Sequence, residues 1–264
     1  MDRFKNKKRL VIKVGTSTLT HDAGLINIRR VEKLVKVIAD LKNSGKEIVL
    51  VSSGAIGVGV GKLGLKEKPK DTPSKQACAA IGQCELMYLY DKLFAEYNHT
   101  VAQVLMTRDC IESEKRKQNA SNTFDRLLEM GVIPVVNEND TVAVEEIEFG
   151  DNDSLSAIVA VLTSADGLII LSDIDGLYTA NPKKNKNATL IPIVEKVDDH
   201  IKSMASGAGS KRGTGGMITK ICAAEHATSN GIDMWIINGD NPENLYSLQD
   251  GEDIGTLFMA NKTI

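Results

Sequence analysis

A glycine-rich segment that leads directly into a helical pattern is the first part of this chain that could bind an anion. Residues 213–220 read Gly-Thr-Gly-Gly-Met-Ile-Thr-Lys, and apolar residues recur at helical spacing after them. Glycines allow close backbone approach to a ligand, and the N–H groups at a helix N-terminus carry partial positive charge. Thr219 adds a hydroxyl and Lys220 a full charge. The segment predicts a phosphate-binding loop, although a plain turn before a helix could have the same composition.

Lys13 is a second candidate phosphate ligand, far away in the sequence. It lies near the end of a short apolar, β-branched run at residues 10–14, which is typical of a buried strand. A lysine in that position either extends to solvent or points into a polar site. Gly15, Thr16 and Ser17 follow with N–H and hydroxyl donors, so the local composition favours an anion site.

Further polar clusters follow predicted strands or precede a predicted helix. They read Ser-Ser-Gly-Ala at 52–55, Asn-Glu-Asn-Asp at 137–140 and Gly-Asp-Asn-Asp-Ser at 150–154. Open α/β sheets bind ligands at the carboxyl ends of their strands, so these clusters are expected to line one edge. A turn with Asp153 or Ser154 as helix N-cap would explain one residue of the last cluster, but not its whole acidic and amide run.

A parallel sheet flanked by helices would bring these clusters together. Apolar strand-like segments alternate with helical patterns about six times without a break in composition. This pattern predicts an α/β fold, a three-layer α/β/α sandwich with a mainly parallel central sheet. The predicted strands are 10–15, 47–51, 100–106, 132–136, 168–171, 234–237 and 256–259, and the main predicted helices are 28–41, 75–97, 155–162 and the segment that starts at Met217.

Composition excludes several classes of protein. The 264 residues carry a net charge of −3, which gives no overall indication of nucleic-acid binding. No apolar run approaches the ~20 residues of a membrane span, and no signal peptide is apparent, so a cytoplasmic location is expected. The four cysteines form no C-x-x-C pair and have no histidines at zinc-ligand spacing, so we expect reduced thiols and no protein metal site.

Six motifs, in this order, resemble the glutamate 5-kinase family of the amino-acid kinase superfamily. They are Val-Ile-Lys-Val-Gly-Thr-Ser (11–17), Val-Ser-Ser-Gly-Ala (51–55), Val-Asn-Glu-Asn-Asp (136–140), Gly-Asp-Asn-Asp-Ser-Leu-Ser-Ala (150–157), Ser-Asp-Ile-Asp-Gly-Leu-Tyr (172–178) and Gly-Thr-Gly-Gly-Met (213–217). The resemblance covers essentially the whole chain. It implies ATP-dependent phosphorylation of the γ-carboxylate of L-glutamate to L-glutamyl 5-phosphate, the first step of proline biosynthesis.

The resemblance also implies roles for individual residues. The catalytic group comprises Lys13, Lys220 and Asp153, with the carboxylate aiming the two lysines. The residues implied for glutamate binding are Ser53, Asp140 and Asn152. The residues implied for ATP binding are Lys13, Ser172, Asp173, Thr214, Gly215, Gly216, Met217, Ile218, Thr219 and Lys220. Mg²⁺ is expected mainly on the nucleotide phosphates.

Domain organisation and partners follow from the same resemblance. It implies one amino-acid kinase domain over residues 1–264, with an acceptor-binding lobe at about 1–165 and an ATP-binding lobe at about 166–264. The chain resembles the shorter form of the family, which does not have the C-terminal RNA-binding-type module called PUA. A homo-oligomer (a dimer or tetramer) and feedback inhibition by proline are also implied.

The residues fit the chemistry that the resemblance implies. A carboxylate acceptor with an ordinary pKa near ~4.3 is already ionised at pH 7, so it needs no general base. The barrier is the approach of one anion to another, which positive side chains and loop N–H groups can lower. The reaction therefore requires positively charged side chains that converge on the phosphoryl group, and it does not require a catalytic histidine.

Three other readings remain open at this stage. A related kinase could act on carbamate, an N-acylated glutamate or a small phosphate, although Asp140 favours an acceptor with a free ammonium group. A sensor could bind nucleotide or amino acid without turnover. An oxidoreductase is suggested by the G-x-G-x-x-G match at residues 59–64, but these glycines begin eight residues after the predicted strand ends at Val51, too far for a dinucleotide fingerprint.

Overall fold

The computed structural model describes residues 3–21, 24–107, 109–142, 152–205 and 216–261. Within these ranges the strands are β1 (Arg9–Val14), β2 (Glu47–Ser52), β3 (Val101–Met106), β4 (Ile133–Glu138), β5 (Gly167–Ser172), β6 (Ile193–Val194), β7 (Asp233–Asn238) and β8 (Thr256–Phe258). They form one sheet in the order β3-β4-β2-β1-β5-β7-β8-β6. Pairing is parallel from β3 through β7, whereas β8 runs antiparallel to β7. The predicted mainly parallel sheet is confirmed.

Helices cover both faces of this sheet. Among the described residues they are α1 (Thr16–Leu19), α2 (Ile28–Asn43), α3 (Ala55–Lys62), α4 (Thr72–Ala95), α5 (Asp109–Glu112), α6 (Glu114–Glu129), α7 (Asn152–Leu162), α8 (Asp199–Ala205), α9 (Met217–Ser229) and α10 (Asn244–Asp250). One hydrophobic cluster joins the sheet to α2, α3, α4 and α10, and a second joins it to α6, α7 and α9. The three-layer prediction is therefore confirmed. None of the described helices combines the length and the hydropathy that crossing a bilayer requires.

In the G-x-G-x-x-G match, Gly59 and Gly61 lie inside helix α3 and Gly64 follows its end, so the match does not form a nucleotide-binding loop after β2. Gly59 is inside α3, and a methyl group added there would overlap the backbone carbonyl of Cys78 in α4. Gly82 of α4 makes the reciprocal approach, because a methyl group there would overlap the carbonyl of Ala55. The glycines thus allow α3 and α4 to pack backbone to backbone. This packing removes the structural basis of the oxidoreductase reading.

Other differences from the predicted elements are local. The turn expected after β1 contains the short helix α1, and neither α10 nor the two-residue strand β6 is evident in the sequence pattern. β6 is held by pairing with β8, so its conformation depends on a partner more than 60 residues away rather than on local periodicity.

We expect Gly82→Ala to destabilise the fold. In most helix interiors the same substitution is stabilising, because alanine is more favourable there than glycine by about 0.5–1 kcal/mol. The added methyl group would force α3 and α4 apart, and such overpacking typically costs about 1–3 kcal/mol. Urea unfolding measures the difference. Gly57→Ala is the matched control, because its methyl group would lie 3.4 Å from Thr16 Cγ2, an ordinary contact. Equal stability of the two variants would contradict the close-packing account.

Candidate active site

The alternation of β1 determines which side of the sheet Lys13 faces. Leu10, Ile12 and Val14 pack into the cluster beneath α2 and α4. Val11 packs into the opposite cluster, with α7 and α9. Successive side chains of a strand point to opposite faces, so Lys13 shares the face of Val11. The lysine is buried and lies at the carboxyl end of a central strand.

Asp153 joins Lys13 to Lys220. Its Oδ1 lies 2.7 Å from Lys13 Nζ, and its Oδ2 lies 2.9 Å from Lys220 Nζ. The carboxylate is fully buried, and both lysines are less than one-tenth exposed. Lys13 comes from β1, Asp153 from the first turn of α7 and Lys220 from the first turn of α9. The structure therefore brings together the three side chains that the sequence motifs associate.

The charge state of Asp153 follows from this arrangement. Burial raises the pKa of its carboxyl group, but the ammonium groups of Lys13 and Lys220 lower that pKa more, and it lies well below the ordinary range. The carboxylate is thus ionised at neutral pH. With two ammonium groups against one carboxylate, the cluster carries a formal charge of +1, which attracts an anion.

Thr219 adds a hydroxyl contact to the same carboxylate. Its Oγ1 lies 2.9 Å from Asp153 Oδ2 and 2.8 Å from the carbonyl oxygen of Gly216, and its one hydrogen can donate to either. Gly216 is the N-cap of α9 and has an extended backbone with φ of −80°, so its glycine is not required for a positive φ. A methyl group on Gly216 would meet no atom of the described residues within 4 Å.

A network of amide side chains lies next to the charged cluster. Asn152 immediately precedes Asp153, and its Nδ2 lies 2.9 Å from Ser52 O, 2.9 Å from Ser53 Oγ and 3.0 Å from Asn137 Oδ1. The Asn152 Oδ1 atom is buried and has no hydrogen-bond partner among the residues that the structure describes. Ser53 and Asn152, which the motifs associate with glutamate binding, are thus in contact. The Oδ1 atom of Asn152 is a buried hydrogen-bond acceptor that this contact does not use.

The remaining predicted residues occupy the same edge of the sheet. Ser172 is buried at the end of β5, next to β1, and its Oγ donates to Asp173 Oδ1 at 3.3 Å. Asp173 is exposed. Asp140 lies in the turn two residues after β4 and is partly buried.

The segment before α9 is only partly described. Thr214 and Gly215, predicted to bind ATP, lie outside the described residues. Met217 is buried in the hydrophobic cluster with α7, so its backbone rather than its side chain is available to a nucleotide. Ile218 is 53% exposed, on the outer side of the helix.

Two members of the amide network were not predicted as site residues. Asn137 donates from Nδ2 to Gln83 Oε1 at 2.9 Å, and both side chains are buried. Asn137 opens the polar run at the end of β4, and this position predicts that it lies near the site without giving it a role. Gln83 belongs to the mostly apolar helix α4, and the signal that could have identified it is a polar residue at a position that faces the sheet.

Comparisons with known proteins agree on one family. Residues 8–238 match the model described as the amino acid kinase family. The chain is 58% identical to glutamate 5-kinase from Clostridium perfringens over 98% of each chain. It is 52% identical to glutamate 5-kinase from Listeria monocytogenes serovar 1/2a, over 99% of this chain and 96% of the relative.

Solved structures share the fold at low sequence identity. UMP kinase from Bacillus anthracis aligns with a TM-score of 0.64 and 17% identity over 98% of both chains. Isopentenyl phosphate kinase from T. acidophilum aligns with a TM-score of 0.63 and 18% identity, over 95% of this chain and all of that one. At this level of identity the two structures support the fold alone.

We expect Asp153→Asn to lower the free energy of unfolding by about 3 kcal/mol at pH 7, the scale for breaking a buried ion pair. The folded-state pKa of Asp153 is lowered, so its ionised form stabilises the fold above the ordinary aspartate pKa of about 3.9, and that contribution is lost as pH falls further. The difference between parent and variant should therefore be constant above about pH 5 and should narrow below about pH 4.

Urea unfolding over this pH range checks the prediction. Asp125→Asn is the control, because Asp125 forms an exposed ion pair with Arg9 and should change stability by at most about 1 kcal/mol. An Asp153→Asn variant as stable as the parent at pH 7, or a stability difference that does not change with pH, would contradict the assigned charge network.

Proposed function

Because this chain belongs to the amino acid kinase family and to its glutamate 5-kinase branch, we propose that it phosphorylates the γ-carboxylate of L-glutamate with ATP. The products are L-glutamyl 5-phosphate and ADP, in the first step of proline biosynthesis. The observation that carries the proposal is the sharing of the buried Asp153 carboxylate by Lys13 and Lys220. This arrangement fixes two ammonium groups beside one anion site.

The charged cluster suits transfer of a phosphoryl group to a carboxylate. A γ-carboxylate oxygen forms a bond to the γ-phosphorus while the bond to the bridging oxygen of ADP breaks. Both partners are anionic, so the protein must hold them in line and offset their repulsion. Lys13 and Lys220 supply positive charge from two sides, and Asp153 holds both side chains in position before the substrates arrive. The carboxylate acceptor needs no base.

The amide network suits the α-ammonium and α-carboxylate groups of L-glutamate. The unused Asn152 Oδ1 is a buried acceptor, and a substrate ammonium group would supply the missing donor. Asp140 adds a negative charge at the same strand end, which favours a free ammonium group over an acylated nitrogen. Ser53 can donate its hydroxyl hydrogen to a substrate carboxylate. We therefore propose that Asn152, Asp140 and Ser53 bind L-glutamate.

ATP is assigned to the other half of the same edge. Ser172, Asp173 and the start of α9, including Gly216, Thr219 and Lys220, would contact the nucleotide, together with Thr214 and Gly215. Residues of about 1–165 would then bind the acceptor and residues of about 166–264 the nucleotide. Within the described ranges, no group of three acidic, histidine or cysteine side chains could hold a metal ion. Mg²⁺ commonly relies on substrate phosphates, so we expect it to enter with ATP and to offset charge on the transferring group.

Three features of the cellular enzyme are also proposals. We propose a homo-oligomer (a dimer or tetramer), feedback inhibition by proline and a cytoplasmic location. The relatives named above support a biosynthetic role, which is compatible with all three.

The first test is a measurement of ADP release with ATP and a panel of acceptors, with hydroxylamine to trap an acyl phosphate. We expect L-glutamate to support turnover and to give the hydroxamate. N-acetyl-L-glutamate should fail because it lacks the ammonium group assigned to Asn152 and Asp140, and carbamate and small phosphates should fail because they lack the amino-acid end. Turnover with N-acetyl-L-glutamate but not with L-glutamate would contradict the acceptor assignment, and binding of both ligands without turnover would indicate a sensor.

The second test removes one ammonium group. Lys220→Ala should retain the fold and lower kcat by about 10²–10³-fold, the scale for losing one preorganised charge-stabilising donor. Lys62→Ala is the matched control, because Lys62 pairs with Glu85 on the surface of α3 and α4 and should leave kcat unchanged. An unaltered kcat in Lys220→Ala would count against its contact with the transferring group.

A further inference from the structure

We infer that Gln83 is a positioning residue for the acceptor site, acting through Asn137 and then Asn152. This inference rests on the proposed function, since it concerns the residues assigned to L-glutamate. It gives a role in substrate affinity to a side chain on α4 that no motif identifies. The amide network has a defined order of donors and acceptors. Backbone groups fix this order at Asn137, through the Glu138 N–H, and at Asn152, through the Ser52 carbonyl.

The first fixed point is Asn137. Its Oδ1 accepts from the backbone N–H of Glu138 at 2.9 Å, and a backbone N–H can only donate. The oxygen of this side chain therefore faces Glu138, and its nitrogen must face the other way. That nitrogen donates to Gln83 Oε1 at 2.9 Å. Gln83 thus supplies the hydrogen-bond acceptor for the Nδ2 of Asn137.

The second fixed point is Asn152. Its Nδ2 lies 2.9 Å from the backbone carbonyl of Ser52 and 3.0 Å from Asn137 Oδ1. A carbonyl oxygen can only accept, and Asn137 Oδ1 is already identified as an oxygen, so both neighbours require nitrogen at this position. The Asn152 Oδ1 atom consequently takes the remaining direction, where it is buried and meets no hydrogen-bond partner within the described ranges. The network presents that oxygen to a donor on the substrate.

The position of Gln83 depends on the close packing of α3 and α4. It follows Gly82, which contacts the backbone of Ala55 so closely that no methyl group fits between them. Gln83 itself is 8% exposed, and it is the one amide among the buried side chains of α4. An amide on the buried face of an otherwise mostly apolar helix is costly unless it is hydrogen-bonded, and its bond here is to Asn137.

Loss of the Gln83 carbonyl should affect glutamate more than ATP. The buried Asn137 Nδ2 would lose its acceptor, so Asn137 would be held only through its Oδ1, by the Glu138 N–H and Asn152 Nδ2, and would hold Asn152 less firmly. Lys13 and Lys220 keep their own contacts with Asp153, which do not involve Gln83. The defect should therefore appear in KM for L-glutamate, with kcat and KM for ATP nearly unchanged.

The test is a double-mutant cycle between Gln83 and Asn152, measured by steady-state kinetics on the full chain. Gln83→Met keeps the length of the side chain and removes the acceptor; we expect KM for L-glutamate to rise roughly tenfold, as for an unsatisfied buried amide. In an Asn152→Ala background the same substitution should have no further effect on KM. Gln76→Met, the same change on α4 at a residue outside this network, is the control and should match the parent.

The outcomes separate the inference from the proposed function. An unchanged KM for L-glutamate in Gln83→Met, or an equal rise in the Asn152→Ala background, would overturn the inference while leaving the glutamate kinase assignment intact. Absence of glutamate-dependent ADP release in the unaltered protein would instead overturn the proposed function, and the inference with it. If Gln83→Met does not fold, Gln83→Asn applies the same test, because the shorter side chain withdraws the carbonyl from Asn137; KM should again rise, and an unchanged KM would overturn the inference.

Discussion

The shared ion pair at Asp153 is the interaction on which the site depends. A fully buried carboxylate would be costly alone, but two ammonium groups compensate for its desolvation and hold it ionised. The three side chains come from a central strand and from the first turns of two helices, so the contact also fixes α7 and α9 against β1. One group of atoms thus organises the fold locally and leaves a net positive charge that attracts an anion.

Two adjacent residues at the start of α7 connect the charged cluster to the amide network that we assign to glutamate. Asp153 faces the lysines, and Asn152 faces Ser53 and Asn137. A displacement of this turn would therefore move both sides of the proposed reaction together. The amide side is supported from behind by α4, whose approach to the sheet is set by glycine contacts with α3. Under the proposed function, residues that do not contact the substrate would in this way control its alignment.

The sequence was informative where local pattern and chemistry coincide. Short β-branched runs predict seven strands near their observed positions, and the motifs associate Lys13, Asp153 and Lys220, which the structure brings into contact. It was uninformative where a conformation depends on distant contacts. The glycine run that became α3 is a helix because α4 packs against it, and β6 is a strand because β8 pairs with it. The role inferred for Gln83 also required the structure, since a hydrogen bond across 54 residues leaves no trace in periodicity.

The most direct test of the central claim is a crystal structure of the protein with Mg²⁺-ADP, L-glutamate and a planar metal fluoride that imitates the transferring phosphoryl group. The account predicts that Lys13 Nζ and Lys220 Nζ both lie about 3 Å from fluoride ligands of the mimic, with Asp153 still in contact with both lysines. A complex in which either ammonium group points away from the mimic, or in which Asp153 contacts neither lysine, would contradict it.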